Sequence, residues 1–232
     1  MFTDGSIRPY KAKNAAGYTL EAKFGIIPNG NAEPDYRGWE LKCFSGSTVT
    51  LMTPEPDGGE YAEMGVREFV IQYGHVSPDG GRYFTGPYSS TANNKFDCIR
   101  HIFVNGYDVK QKQITDVQGS VQLVQDGYEI ASWSFAHLLK HWNKKHEKAC
   151  YVKYSKTEDS LIRFKPTVQL CTITSPNFLL DSLCSGIVYY DPGSRINIDG
   201  KLKARSQFRV KEKNIPCLYQ SSELIDLSSF HT

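Results

Sequence analysis

Between Trp39 and Cys43 polar and apolar residues alternate, Trp-Glu-Leu-Lys-Cys, the period-two pattern of a strand buried on one face. That pattern turns Glu40 and Lys42 to one side and Trp39, Leu41 and Cys43 to the other. Upstream, Thr19-Leu20-Glu21 reads as the start of a short helix with Thr19 as N-cap and Gly25 as its end. Residues 1–16 are polar, contain Gly5 and Pro9, and read as an arm on the surface. Residues 47–53 are rich in β-branched side chains and are expected to pair with the 39–43 strand as a hairpin across Ser45-Gly46. Two prolines and two glycines then interrupt regular structure over 54–59 and predict a loop.

Met64, Val66, Phe69, Val70 and Tyr73 recur near helical spacing, so residues 60–73 are expected to form a helix that ends at Gly74 and packs on the sheet carrying Glu40. Residues 75–90 read as a turn-rich hairpin with Tyr83, Phe84 and Tyr88 half buried. Strands are predicted over 98–104 and 117–130, with a hairpin turn at Asp126-Gly127. Ser134 then caps a helix in which His137, Leu138 and Trp142 keep helical phase. Two strands follow, 149–156 and 160–173. A helix opens on Pro176 and ends at Gly186, and short extended runs occupy 188–210.

Size and composition narrow the possibilities. The 232 residues suffice for one large domain or two lobes without disulfides or a structural metal. Lys and Arg number 27 against 25 Asp and Glu, a net charge of +2, so total charge announces no nucleic-acid partner and local layout has to decide. The six cysteines (43, 98, 150, 171, 184 and 217) form no CxxC pair and no Cys/His set at zinc-ligand spacing. They are expected to be reduced thiols in a soluble cytoplasmic protein. The opening MFTDGSIRPYK has no apolar core of a signal peptide, and no window is apolar enough to span a membrane.

The chemistry gathers in residues 17–44, which hold Glu21, Asp35, Glu40 and Lys42. Asp35 follows Pro34 and precedes an extended run, so it can sit beside Glu40. Two carboxylates so placed make a hard oxygen pocket for Mg²⁺, which keeps several of its waters. An ion there lowers the pKa of a bound water and offsets charge on a phosphoryl oxygen, while the lysine orients the water or neutralises the phosphate. The ordinary alternative is a solvated Glu–Lys pair on a strand face, worth little.

The residues GYTLE (17–21), PD (34–35) and WELK (39–42) resemble the MutH-type branch of the PD-(D/E)xK nucleases, and within it the MvaI/BcnI restriction endonucleases. The resemblance continues in order through TLMTPEP (50–56), QYGHV (72–76), WSF (133–135) and SLCSGI (182–187). It implies an α/β (α+β) restriction-endonuclease-like PD-(D/E)xK fold, a mixed central sheet flanked by helices, in two lobes forming a DNA cleft. Residues 1–110 would be the catalytic lobe and 111–232 the DNA-recognition lobe. The four active-site positions fall on Glu21, Asp35, Glu40 and Lys42. Asp35 and Glu40 would bind Mg²⁺, Lys42 would position the attacking water, and Glu21 would support a second ion or the lysine. The implied activity is that of a type II enzyme acting as a monomer on double-stranded DNA at a CCWGG-like or CCSGG-like site, with a cognate DNA methyltransferase in the same system.

Base reading is expected in the tail. Arg donates two bonds to guanine, Gln bonds bidentately to adenine and Asp accepts from cytosine, which selects Asp191, Arg195, Arg205, Gln207 and Arg209; the resemblance carries Asp191 and Arg209 into the recognition region. The same strands read equally as an exposed hairpin with a basic edge. Lys144 and Lys145, on the polar side of the helix after Ser134, are candidates for phosphate contacts, with a merely solvated helix as the alternative. His137 and His141 are four apart but lack the intervening Glu of a zinc-protease helix. The chain departs from the family pattern at 202–205, where Leu-Lys-Ala-Arg replaces a His-Asp-x-Gly run, and at Thr53, where the BcnI type has a histidine. Two other classes share these residues: a MutH-like nicking endonuclease that needs a partner, and a catalytically silent DNA-binding module.

Overall fold

The computed structural model describes residues 14–27, 34–95, 98–159 and 161–230; the arm expected over 1–16 falls mostly outside them. In chain order the elements are α1 (Ala15–Lys23), β1 (Glu40–Phe44), β2 (Thr48–Met52), α2 (Gly59–Tyr73), β3 (His75–Val76), β4 (Arg82–Thr85), β5 (Asn93–Lys95), β6 (Cys98–Asn105), β7 (Tyr107–Asp108), β8 (Gln113–Ile114), β9 (Ser120–Gln125), β10 (Tyr128–Ser134), α3 (Phe135–Lys145), β11 (Lys148–Lys156), β12 (Ile162–Thr172), α4 (Pro176–Cys184), β13 (Val188–Tyr190), β14 (Gly193–Ile196), β15 (Leu202–Lys203), β16 (Phe208–Lys211) and β17 (Ser221–Asp226), with 3₁₀ turns at Glu212–Leu218 and Leu227–Phe230. The class is mixed α+β, as expected. Among the described residues no helix is long and apolar enough to cross a membrane. All six cysteines are free thiols.

The chain divides into two compact units, and both are discontinuous. The first gathers residues 1–49, 143–175 and 215–232; the second gathers 50–142 and 176–214. Residue 110, where the sequence suggested a boundary between lobes, lies inside the second unit, between β7 and β8. The interleaving follows from strand pairing, because the neighbour of β1 comes from more than a hundred residues downstream.

The first unit is built on a mixed sheet of order β1-β11-β12-β17. β1 runs parallel to β11, with Glu40 opposite Ala149 and Lys42 opposite Tyr151; β12 and β17 continue antiparallel. The alternation read from 39–43 holds. Trp39, Leu41 and Cys43 pack with Leu20 of α1 and with Cys150, Val152, Phe164, Val168, Leu170 and Ile225 on one face. Leu20 is buried there, a contribution of roughly 1.5–3 kcal/mol for a side chain of that kind. α1 is longer than expected. It begins after Asn14, and Thr19 is interior, its hydroxyl donating to the Ala15 carbonyl at 2.7 Å, so Thr19 is not a cap.

The second unit holds two four-stranded sheets, β10-β9-β6-β5 and β15-β14-β4-β3, a three-stranded sheet β13-β16-β2 and the pair β7-β8. The turn between β9 and β10 is the expected Asp126-Gly127, with φ of 49° and 89°, both in the left-handed region that such two-residue hairpin turns demand. The β1–β2 hairpin does not form: β2 lies in the sheet with β16 and β13, and β1 pairs with β11. α2, expected on the sheet of Glu40, belongs to this unit and packs on β10, β14 and β4. Both expectations assumed that neighbours in sequence pair in space, which long-range pairing overrode. The core is aromatic: Trp133 meets Tyr190 and Phe208 edge-on at 4.7 and 4.9 Å between ring centres, and its indole N–H donates to the Pro54 carbonyl at 3.0 Å. Ser134 accepts from the His137 amide, capping α3 as the sequence indicated.

Candidate functional site

A tight turn sets the site. Tyr36 and Trp39 exchange backbone hydrogen bonds of 3.0 and 2.8 Å across Arg37 and Gly38, whose φ values are 48° and 82°. Such a two-residue turn puts residues 35 and 40 next to each other, which is why four residues separate the two carboxylates. The Asp35 carboxylate accepts the Leu41 amide at 2.8 Å, holding it against the start of β1.

Glu40 is 5% exposed, and two ammonium groups flank it. Lys42 Nζ donates to Oε1 at 3.1 Å, and Lys145 Nζ, from the last turn of α3, stands 3.4 Å from Oε2. Oε2 accepts no hydrogen bond although it is fully buried, so this oxygen has an ion partner but no donor seated on it. Lys145, a candidate for phosphate contact from the sequence, stands beside Glu40. Nothing local in the sequence links them, because the contact depends on the parallel β1–β11 pairing.

A buried polar chain follows Lys145. His146 is 1% exposed, and its Nδ1 and the Tyr219 hydroxyl are hydrogen-bonded at 3.2 Å. The Tyr219 and Tyr151 hydroxyls share a 2.8 Å bond, and Tyr151 is the β11 residue opposite Lys42. Burial drives the Tyr151 hydroxyl well above its ordinary pKa, so that hydroxyl keeps its proton. These groups were not foreseen, since the residue types carry no motif.

Glu21, on α1, completes the acidic set. Burial first, then Asp35 and Glu40, push its carboxyl above the ordinary range, and Lys145 pulls it back. Asp35 is raised by burial and by Glu40, against the Leu41 amide, Lys145 and Lys42. Carboxylates raised by their acidic neighbours in this way mark a site of excess negative potential.

This potential and a buried Oε2 that accepts no hydrogen bond fit a divalent cation held by oxygen. Among the described residues no three His, Cys, Asp or Glu side chains converge closely enough to cage one. Asp35 and Glu40 are the two carboxylates that could hold an ion which keeps most of its own waters, as Mg²⁺ does. His137 and His141 stack edge-on at 4.9 Å between ring centres and join no such group.

The tail residues come together in the second unit. Arg209, on β16 opposite Tyr189, forms an ion pair with Asp191, while its buried Nε has no acceptor. The Gln207 carbonyl accepts the Asp191 amide at 2.7 Å, and the Arg205 carbonyl accepts the Gly193 amide at 2.9 Å. The Arg205 guanidinium lies over Gly193, filling the space a Cβ would take. Arg195 sits on β14 opposite Tyr83 and Lys203. Asp191, Arg195, Arg205, Gln207 and Arg209 thus occupy adjoining strands and turns. Lys144 is exposed on the last turn of α3.

Comparison with known proteins adds three findings. Residues 2–219 match the family model of the MvaI/BcnI restriction endonuclease family. The fold is similar to the restriction endonuclease MvaI in complex with its cognate DNA substrate, at a TM-score of 0.71 and 18% identity over 92% of this chain and 89% of that one. It is also similar to MvaI in the absence of DNA, at a TM-score of 0.54 and 17% identity over 96% and 92% of the two chains. No curated protein sequence matches the chain.

Proposed function

Because the chain belongs to the MvaI/BcnI restriction endonuclease family, we propose that it hydrolyses both strands of duplex DNA at a short specific site, using Mg²⁺ held by Asp35 and Glu40. The observation that carries this reading is the tight turn that sets Asp35 beside a buried Glu40 bonded to Lys42. A bound Mg²⁺ would supply an activated water and offset phosphoryl charge. Lys42, 14% exposed and fixed by Glu40, orients the attacking water and neutralises the phosphate oxygen as charge builds there. Glu21 adds negative potential from α1 and supports the ion or the lysine. That MvaI was solved with cognate DNA supports double-stranded DNA as the substrate.

In the second unit, Arg209 with its Asp191 partner, and Arg195, Arg205 and Gln207, read base edges, while Lys144 meets phosphate. The enzyme acts as a monomer in the cytoplasm on a CCWGG-like or CCSGG-like sequence, nicking the strands in turn, beside a methyltransferase that protects host DNA. The six free thiols agree with a reducing compartment.

The test is cleavage of plasmid DNA in Mg²⁺ by the purified chain. Asp35→Ala and Lys42→Ala are expected to cut on the order of 10²-fold more slowly or worse. Parental rates in both would overturn the assignment. Accumulation of nicked circles with dependence on an added protein would instead favour a partner-dependent nickase.

A further inference from the structure

Three observations about Glu40 and its surroundings belong together. Its Oε2 is buried without a hydrogen-bond donor, yet an ammonium stands 3.4 Å away. That ammonium belongs to Lys145, whose side chain is 32% exposed against 7% for Glu40, so the lysine can leave toward solvent and the carboxylate cannot. His146 anchors the same end of α3 through the buried Tyr219 and Tyr151 hydroxyls, which fixes the backbone of Lys145 and leaves only its side chain to move.

An ion pair without a seated hydrogen bond is held by charge alone. With Oε1 bonded to Lys42, Oε2 is the oxygen left for a cation shared with Asp35. Lys42 does not compete in this way, because it donates to the other oxygen at hydrogen-bond distance.

We propose that Lys145 is a displaceable stand-in for the cation: its ammonium neutralises Glu40 Oε2 in the metal-free protein and competes with the divalent ion for that oxygen. This rests on the reading of Asp35 and Glu40 as metal holders. Lys145 stabilises the empty site by keeping three mutually repelling carboxylates compensated. It also weakens ion binding, so the divalent-ion concentration at which the enzyme loads is set partly by this lysine. The lysine is exchanged for the ion without any change in the fold of α3.

The experiment is calorimetric titration of the metal-stripped full chain with Ca²⁺. Lys145→Met and Lys145→Gln are expected to bind Ca²⁺ at least about fivefold more tightly than the parent, the gain from removing a partly buried ionic competitor. Lys148→Met, which removes the same charge from an exposed position nearby, is expected to change affinity by less than about twofold. Affinity unchanged or weakened in both Lys145 variants overturns the proposal. A parent that binds no Ca²⁺, or an Asp35→Ala variant that binds it like the parent, overturns the metal-site reading and this inference with it. A second measurement needs no variant: amine acylation followed by mass spectrometry. Labelling of Lys145 is expected to rise several-fold on adding Ca²⁺ while Lys148 stays constant, and equal labelling of Lys145 with and without Ca²⁺ counts against displacement.

Discussion

Glu21 shows how a single residue carries the electrostatics of the site. Its carboxyl and that of Asp35 are both raised in the folded chain, by burial first and then by neighbouring carboxylates, Asp35 and Glu40 for Glu21 and Glu40 for Asp35. A raised acid keeps its proton in the native state at a pH where the unfolded chain has lost it. Stability of the metal-free protein from these groups is therefore full below the unfolded values, near 4.5 and 3.8, and is lost as pH rises through the folded ones. Replacing Glu21 by Gln removes one repelling charge. In EDTA, thermal melts of Glu21→Gln should exceed those of the parent at pH 7, and the difference should shrink as the buffer is acidified toward pH 4.5. A difference independent of pH would mean that Glu21 acts through packing and not through charge. Excess Ca²⁺ should also shrink the gap, by compensating the same charge.

At the scale of elements, the turn before β1 converts a sequence spacing into a site. Gly38 has φ of 82°, and a Cβ there would meet nothing within 4 Å, so substitution costs backbone strain alone. Gly38→Ala is expected to lower stability by about 1 kcal/mol, read as a fall in the urea midpoint, and Gly38→Asn by less, since Asn tolerates left-handed backbone. Because the same turn sets Asp35 beside Glu40, Ca²⁺ affinity should fall in the order Gly, Asn, Ala. Equal affinity across the three would show that the Asp35 to Leu41 hydrogen bond holds the carboxylate without help from the turn. β1 was legible from its alternation, and the Asp126-Gly127 hairpin from its turn residues. The start of α1 was misread at Thr19, because a threonine that bonds back to residue i−4 looks in sequence like one that caps.

At the scale of the molecule, the first unit exists only when three distant stretches meet. Among the described residues β1 pairs only with β11, and Lys145 arrives from the end of α3. A fragment ending at residue 110 keeps Glu21, Asp35, Glu40 and Lys42 but loses β11, β12 and β17, leaving Trp39, Leu41 and Leu20 uncovered. Such a fragment is expected to lack near-ultraviolet circular dichroism, to bind no Ca²⁺ and to aggregate, outcomes checked by spectroscopy and light scattering. A folded, ion-binding fragment would show that residues 1–110 form an autonomous lobe after all.

The sequence by itself determined the local geometry. The alternation of 39–43 fixed which face carries Glu40 and Lys42, the ordered motifs identified the family, and the turn and cap residues marked β9–β10 and α3. Each of these depends on interactions within a few residues, where backbone sterics and hydrogen bonding leave little choice. Only the tertiary structure decided that β2 leaves β1 for another sheet, that α2 packs in the second unit, and that Lys145 reaches Glu40. Those outcomes turn on pairings across about a hundred residues, which no local pattern encodes because any strand edge with a matching face can accept them.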